Sequence, residues 1–127
     1  MYVLLLFSLM PLWGDSTVVE TISTGERFAV EEHLDPNYFV IFEFYASWCG
    51  PCRKWAPMIE RLAEQYPDHV VVKKVDIKNW GTPVAIQNSI ERLPYLWLYN
   101  PKGRKVRSGH PREVVDYLKK KAKKEKW

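Results

Sequence analysis

An α/β fold built on a mixed central sheet is predicted by three features of the sequence. Apolar runs suited to buried strands alternate with segments of helical periodicity through the first ninety residues. The last two strand-like runs are separated only by a tight turn, and one amphipathic segment closes the chain. With 127 residues, 46% of them hydrophobic, and six tryptophans, the chain suits one packed core, and this composition excludes a disordered polypeptide.

The elements follow in order. "STVVETIS" (16–23) is rich in β-branched residues and predicts a short strand. "TGERFAVEEHL" (24–34) opens on Thr-Gly and spaces Phe28, Val30 and Leu34 for a short or irregular helix. After the break at 35–37, "YFVIFEFYA" (38–46) is a nearly unbroken apolar run, the pattern of a strand buried on both faces. "CRKWAPMIERLAEQY" (52–66) sets Trp55, Ile59, Leu62 and Tyr66 on one helical face, with Arg53, Lys54, Glu60 and Glu64 elsewhere. Pro57 predicts a kink there and not an end, because the periodicity resumes at once. "HVVVKKVDI" (69–77) is a second buried strand, and "WGTPVAIQNSI" (80–90) a loop and short helix. "YLWLY" (95–99) and "RKVRS" (104–108) flank the turn sequence "NPKG". "HPREVVDYLKKKAKK" starts a helix near Pro111, with Val114, Val115 and Leu118 facing inward. The order β-α-β-α-β-α-β-β-α implies helices on both faces of the sheet.

Both chain ends differ from this body. Residues 1–13, "MYVLLLFSLMPLW", are apolar but too short to span a bilayer, and Gly14 and Ser16 supply small residues before a cleavage point. Residues 1–16 therefore read as a secretory signal, although its usual Lys or Arg is missing, and 17–127 as the folded domain. The expected location is outside the cytoplasm, in a bacterial periplasm; an uncleaved anchor or a cytoplasmic protein with a misassigned start are the alternatives. At the other end six lysines follow Leu118 and account for much of the net charge of +4. No basic stripe with interleaved aromatics accompanies them, so they predict a solvated, fraying helix end and no nucleic-acid partner.

Cys49 and Cys52 are the chain's two cysteines. A disulfide across two intervening residues removes little chain entropy, which argues against a staple. Tetrahedral zinc needs four ligands, and His33, His69 and His110 lie at no finger-like spacing from the pair. Redox chemistry fits better. Cys49 falls at a predicted helix N-terminus, where free amides and the dipole favour a thiolate. Pro51 in the first turn loses no hydrogen bond. Cys52 lies one turn on, within disulfide reach. An exposed Cys49 thiolate would attack a substrate disulfide, and Cys52 would resolve the mixed disulfide.

"FEFYASWCGPCRKWAP" (42–57) resembles the active-site segment of the thioredoxin family, and the resemblance extends over residues 17–124. Trp48, Cys49, Gly50, Pro51 and Cys52 match the motif, Pro57 the kinking proline, Pro94 in "ERLPYLWLY" the cis-proline facing the cysteines, and Gly109 the glycine near the last strand. The resemblance implies a thioredoxin fold, a five-stranded mixed sheet flanked by about four helices, and a substrate groove of Trp48, Gly50, Pro51, Leu93, Pro94, Tyr95 and Gly109. Tyr95 departs from the threonine that generally follows the proline, so it is the expected site of altered specificity. Trp80 either flanks this groove or packs against the body of the domain. Tyr45, Trp55, Trp97 and Tyr99 are expected in the core or its rim.

Glu43, inside an apolar strand, is expected to have a raised pKa. It stands where the family keeps a buried acid that accepts the Cys52 proton; an edge-facing surface glutamate is the alternative. Lys74 matches the lysine that tunes that acid. The sole redox group expected is the Cys49–Cys52 pair, with no bound cofactor, since no Gly-x-Gly-x-x-Gly occurs. The Gly-Pro dipeptide resembles the reducing members, which implies reduction of protein disulfides by a monomer. It would draw electrons from an upstream thiol donor, a membrane carrier if the protein is exported. A disulfide oxidase or isomerase, and a binding or chaperone module without redox turnover, are the rival readings.

Overall fold

The structure, a computed structural model, describes residues 18–127. The signal expected over 1–16 and the first residues of the strand expected at 16–23 lie outside them. Strands β1 (Val19–Thr24), β2 (Phe39–Tyr45), β3 (Val70–Asp76), β4 (Tyr95–Tyr99) and β5 (Lys105–Gly109) form one sheet in the order β1-β3-β2-β4-β5. β2 runs parallel to β3, and β3 to β1, while β4 and β5 are antiparallel to their neighbours. Helices α1 (Gly50–Gln65), α2 (Pro83–Gln87) and α3 (Pro111–Glu125) connect and close the sheet.

β2 is the central strand because nearly every residue in it can be buried. Alternation sends Val40, Phe42 and Phe44 to one face, where they join Phe28, Val84 and Trp97. Phe39 and Ile41 go to the other face, under Ile59 and Leu62 of α1 and Val114, Val115 and Leu118 of α3. Full burial of each such side chain contributes about 1.5–3 kcal/mol. Glu43 shares the odd register of Ile41, so alternation directs its carboxyl beneath α1.

One expectation is made specific and another changes. The short or irregular helix expected in 24–34 is a single 3-10 turn, Val30–His33, whose Ala29 cap makes no side-chain hydrogen bond. Asp35 precedes Pro36, and a residue before proline is driven from helical geometry, so the turn has no room to lengthen. Three α-helices and this turn thus stand where about four helices are expected. The C-terminus is pinned and not fraying. Lys126 adopts φ 54°, and the Trp127 amide donates to the Ala122 carbonyl at 3.0 Å. The Trp127 ring folds back onto His69, Phe39 and Tyr66. An aromatic residue after the lysines supplies the apolar contact that a lysine run lacks.

Candidate active site

β2 delivers the chain into a tight turn in which the Cys49 amide donates to the Ala46 carbonyl at 3.1 Å. Cys49 is extended (φ −85°, ψ 105°) and caps α1: its Sγ accepts the Cys52 amide at 3.2 Å. The two cysteines form a disulfide, with Cα atoms 5.3 Å apart. Gly50 and Pro51 lie exposed on the first turn, and a Cβ added to Gly50 would meet nothing within 4 Å. Cys49 is not the open thiol expected from helix position alone. It is 6% exposed and belongs with Cys52 to the apolar cluster on the Phe42 face. Leu93 and Tyr95, more than forty residues further along the chain, pack against that cluster, which periodicity does not reveal.

The Leu93–Pro94 bond is cis and Pro94 is buried. Leu93 and Tyr95, on either side, pack against the cluster that holds both cysteines. Tyr95 opposes Phe44 at the end of β2 that leads to Cys49, and it lines a recess of ≈ 130 Å³ with Ser89, Ile90, Glu91 and Arg92. Gly109 pairs with Leu96 at this same end of the sheet. Its φ of +127° favours glycine, and an added Cβ would come 3.3 Å from Oε2 of the exposed Glu113 side chain.

Trp48 stays 51% exposed, its indole N–H donating to the Lys78 carbonyl at 2.6 Å. Trp80 is 47% exposed and meets the Trp48 ring edge to face, 5.5 Å between centroids. Of the two roles open to Trp80 in the sequence, the structure therefore places it on the aromatic wall beside the motif. Trp97 and Tyr99 sit around Phe42 and Phe44, Tyr45 is half-buried, and Trp55 rests edge-on against His110 at the rim.

Glu43 is 1% exposed, which overturns the surface alternative, and its Oε2 has no hydrogen-bond partner. Burial pushes its pKa from 4.5 up to about 7, against the opposing pull of the Lys74 charge and with a smaller push from Glu60. Glu43 and Cys52 line one cavity of ≈ 270 Å³, together with Tyr45, Ala46, Ser47, Arg53, Ala56 and Lys74. A carboxylate here can accept a proton from the resolving thiol, directly or through a water that the cavity has room for.

Lys74 faces Glu43 across the parallel β2–β3 pair, as expected, but its ammonium is bonded elsewhere. Nζ donates to Glu60 Oε1 at 2.9 Å and lies 4.7 Å from the centre of the Tyr45 ring. Burial works against its charge, but the Glu60 hydrogen bond and the fields of Glu43 and Glu60 outweigh this and hold its proton more firmly than usual. Glu60 is the residue missed from sequence, where it counts as part of the polar helix face. The available signal is Ala56 and Ala63, one turn to either side, whose small side chains leave space beside the sheet for a lysine. Among the described residues no three His, Cys, Asp or Glu side chains gather as metal ligands.

Comparison with known proteins agrees with this geometry. The thioredoxin family profile matches residues 20–124. Thioredoxin-1 of Saccharomyces cerevisiae is 43% identical over 82 residues, 65% of this chain and 76% of that protein. Protein disulfide-isomerase of Zea mays is 35% identical over 98 residues, 71% of this chain but 19% of that longer protein. The crystal structure of the reduced Schistosoma mansoni thioredoxin pre-protein superposes with a TM-score of 0.60 at 28% identity, covering 80% of this chain and 96% of its own.

Proposed function

The chain belongs to the thioredoxin family and is a thiol–disulfide oxidoreductase, and from that premise we propose that it reduces protein disulfides. The carrying observation is that Cys49 caps α1 through its sulfur while Cys52 shares a cavity with an unpaired buried acid.

In the dithiol form, the amides at the start of α1 and the helix dipole stabilise the Cys49 thiolate. It attacks one sulfur of the substrate disulfide, and the other substrate sulfur leaves as a thiolate and takes a proton. Glu43 then accepts the Cys52 proton, and the Cys52 sulfur attacks Cys49. The second substrate thiol is released as the Cys49–Cys52 disulfide closes. Two electrons pass to the substrate. The exposed face of Gly50 and Pro51, the ring of Trp48 and the backbone around Pro94 form the groove. There an extended segment can pair in the manner of an added strand. An upstream thiol reductase restores the dithiol, as the chain carries no nicotinamide or flavin motif. Residues 1–16 support export, with a membrane thiol carrier as the donor.

Reduction of insulin with dithiothreitol as donor tests the activity. Absence of turnover, or undiminished turnover by Cys49→Ser, overturns it. Equilibration with glutathione buffers tests the direction: a pair that stays reduced in strongly oxidising buffer marks an oxidase or isomerase instead.

A further inference from the structure

We propose that Glu60 is a positioning residue that holds Lys74 away from Glu43, and so sets the pH range over which Cys52 can lose its proton. The proposal rests on the resolving step described above.

Cross-strand register alone would join Lys74 to Glu43, since in-register residues of parallel strands project from the same face. The observed partner is instead Glu60, on the helix above. Lys74 and Glu60 both keep part of their hydration, their side chains being 19% and 28% exposed. Moving the ammonium onto Glu43, which is 1% exposed, would strip it of more of its hydration, and desolvation offsets most of the Coulomb gain. The Tyr45 ring adds a second anchor, its centre 4.7 Å from the ammonium. The outcome is a carboxyl with one oxygen unbonded and, beside it, a lysine whose ammonium is ion-paired with Glu60.

The other groups around Glu43 do not substitute for Lys74. α1 presents Cys52 and Arg53 to the shared cavity, β4 places Leu96 opposite Glu43, and α3 brings apolar residues to this face. The Arg53 guanidinium is turned to the Ser47 carbonyl at 3.2 Å. With Lys74 restrained, Glu43 retains a proton affinity near neutrality, which suits an acceptor for a thiol of ordinary pKa about 8.5. A lysine bonded directly to Glu43 would ionise it at lower pH and make it a weaker base.

The test is titration of the Glu43 carboxyl by carbon-13 NMR in the oxidised full chain, paired with the pH profile of insulin reduction. Glu60→Gln should lower the Glu43 midpoint by about one pH unit. It should move the acid limb of the profile the same way, while Glu60→Asp restores both. In a Lys74→Met background the same Glu60→Gln change should shift the midpoint by less than half as much, because the lysine it releases is absent. A Glu60→Gln midpoint within about 0.2 pH unit of wild type, or an equal shift with and without Lys74, overturns the proposal. Failure of the wild type to reduce insulin would defeat the functional reading instead, and the titration would still judge Glu60.

Discussion

The rings of Trp48 and Trp80 meet edge to face, with 61° between their planes, and about half of each remains open to solvent. They follow the C-terminal ends of the neighbouring parallel strands β2 and β3, one as the residue before Cys49 and the other in the loop after β3. The Trp48 bond to the Lys78 carbonyl ties those two segments together. Large aromatic surface left exposed beside a reactive group marks a contact surface, since burying it in the core would otherwise be favoured.

Trp80→Ala should therefore raise KM for insulin about tenfold, the range of an interface aromatic, with kcat little changed. A small aromatic disulfide, which reaches the sulfur without the wall, should be reduced at the wild-type rate. Equal loss on both substrates would assign Trp80 to shaping the motif and not to contacting protein. Stability in urea should fall by less than about 1 kcal/mol, because the ring is half exposed already.

Cys52→Ser should accumulate mixed disulfides with protein substrates, because attack by Cys49 survives and resolution does not. Non-reducing gels after alkylation read this directly. The double variant Cys49→Ser, Cys52→Ser should retain none, and adducts persisting there would reassign the attacking group.

Glu43 makes stability depend on pH with a defined sign. Its pKa is 4.5 ordinarily and about 7 in the fold, so between those values the folded protein holds a proton that the unfolded chain has released. Stability is thus lost as pH rises through this window, by about 3 kcal/mol once it is passed. Relative to wild type, Glu43→Gln should gain about that much more stability at pH 8 than at pH 4 in urea melts of the oxidised protein. A pH-independent difference would show that the carboxyl ionises freely. The same variant should slow insulin reduction more at neutral than at alkaline pH, where hydroxide deprotonates Cys52 unaided.

Trp127 stacks on His69 with centroids 4.6 Å apart and planes 3° apart, and it also touches Phe39 and Tyr66. Trp127→Ala should cost about 2 kcal/mol and free the last turn of α3 to exchange its amides. An unchanged urea midpoint would mean that the lysine-rich turn holds without it.

Local pattern alone determined a good deal of this protein. The apolar run around Phe42, the Ile59–Leu62 periodicity and the Asn100–Gly103 turn each encode their element within a few residues, because burial and turn geometry are short-range demands. The same holds for the cysteine motif, in which Cys49 caps the helix that activates it. Glu43 stood out as well, as an acid within a strand that has no exposed face. What the tertiary structure decided is which groups meet across the sheet and its loops. It buried Cys49 in the apolar cluster against which Leu93 and Tyr95 pack, brought Trp80 to Trp48, gave Lys74 to Glu60 in preference to its register partner, and returned Trp127 to His69. Each of these pairings weighs desolvation against contact between residues distant in sequence, and that balance exists only once both sides are in place.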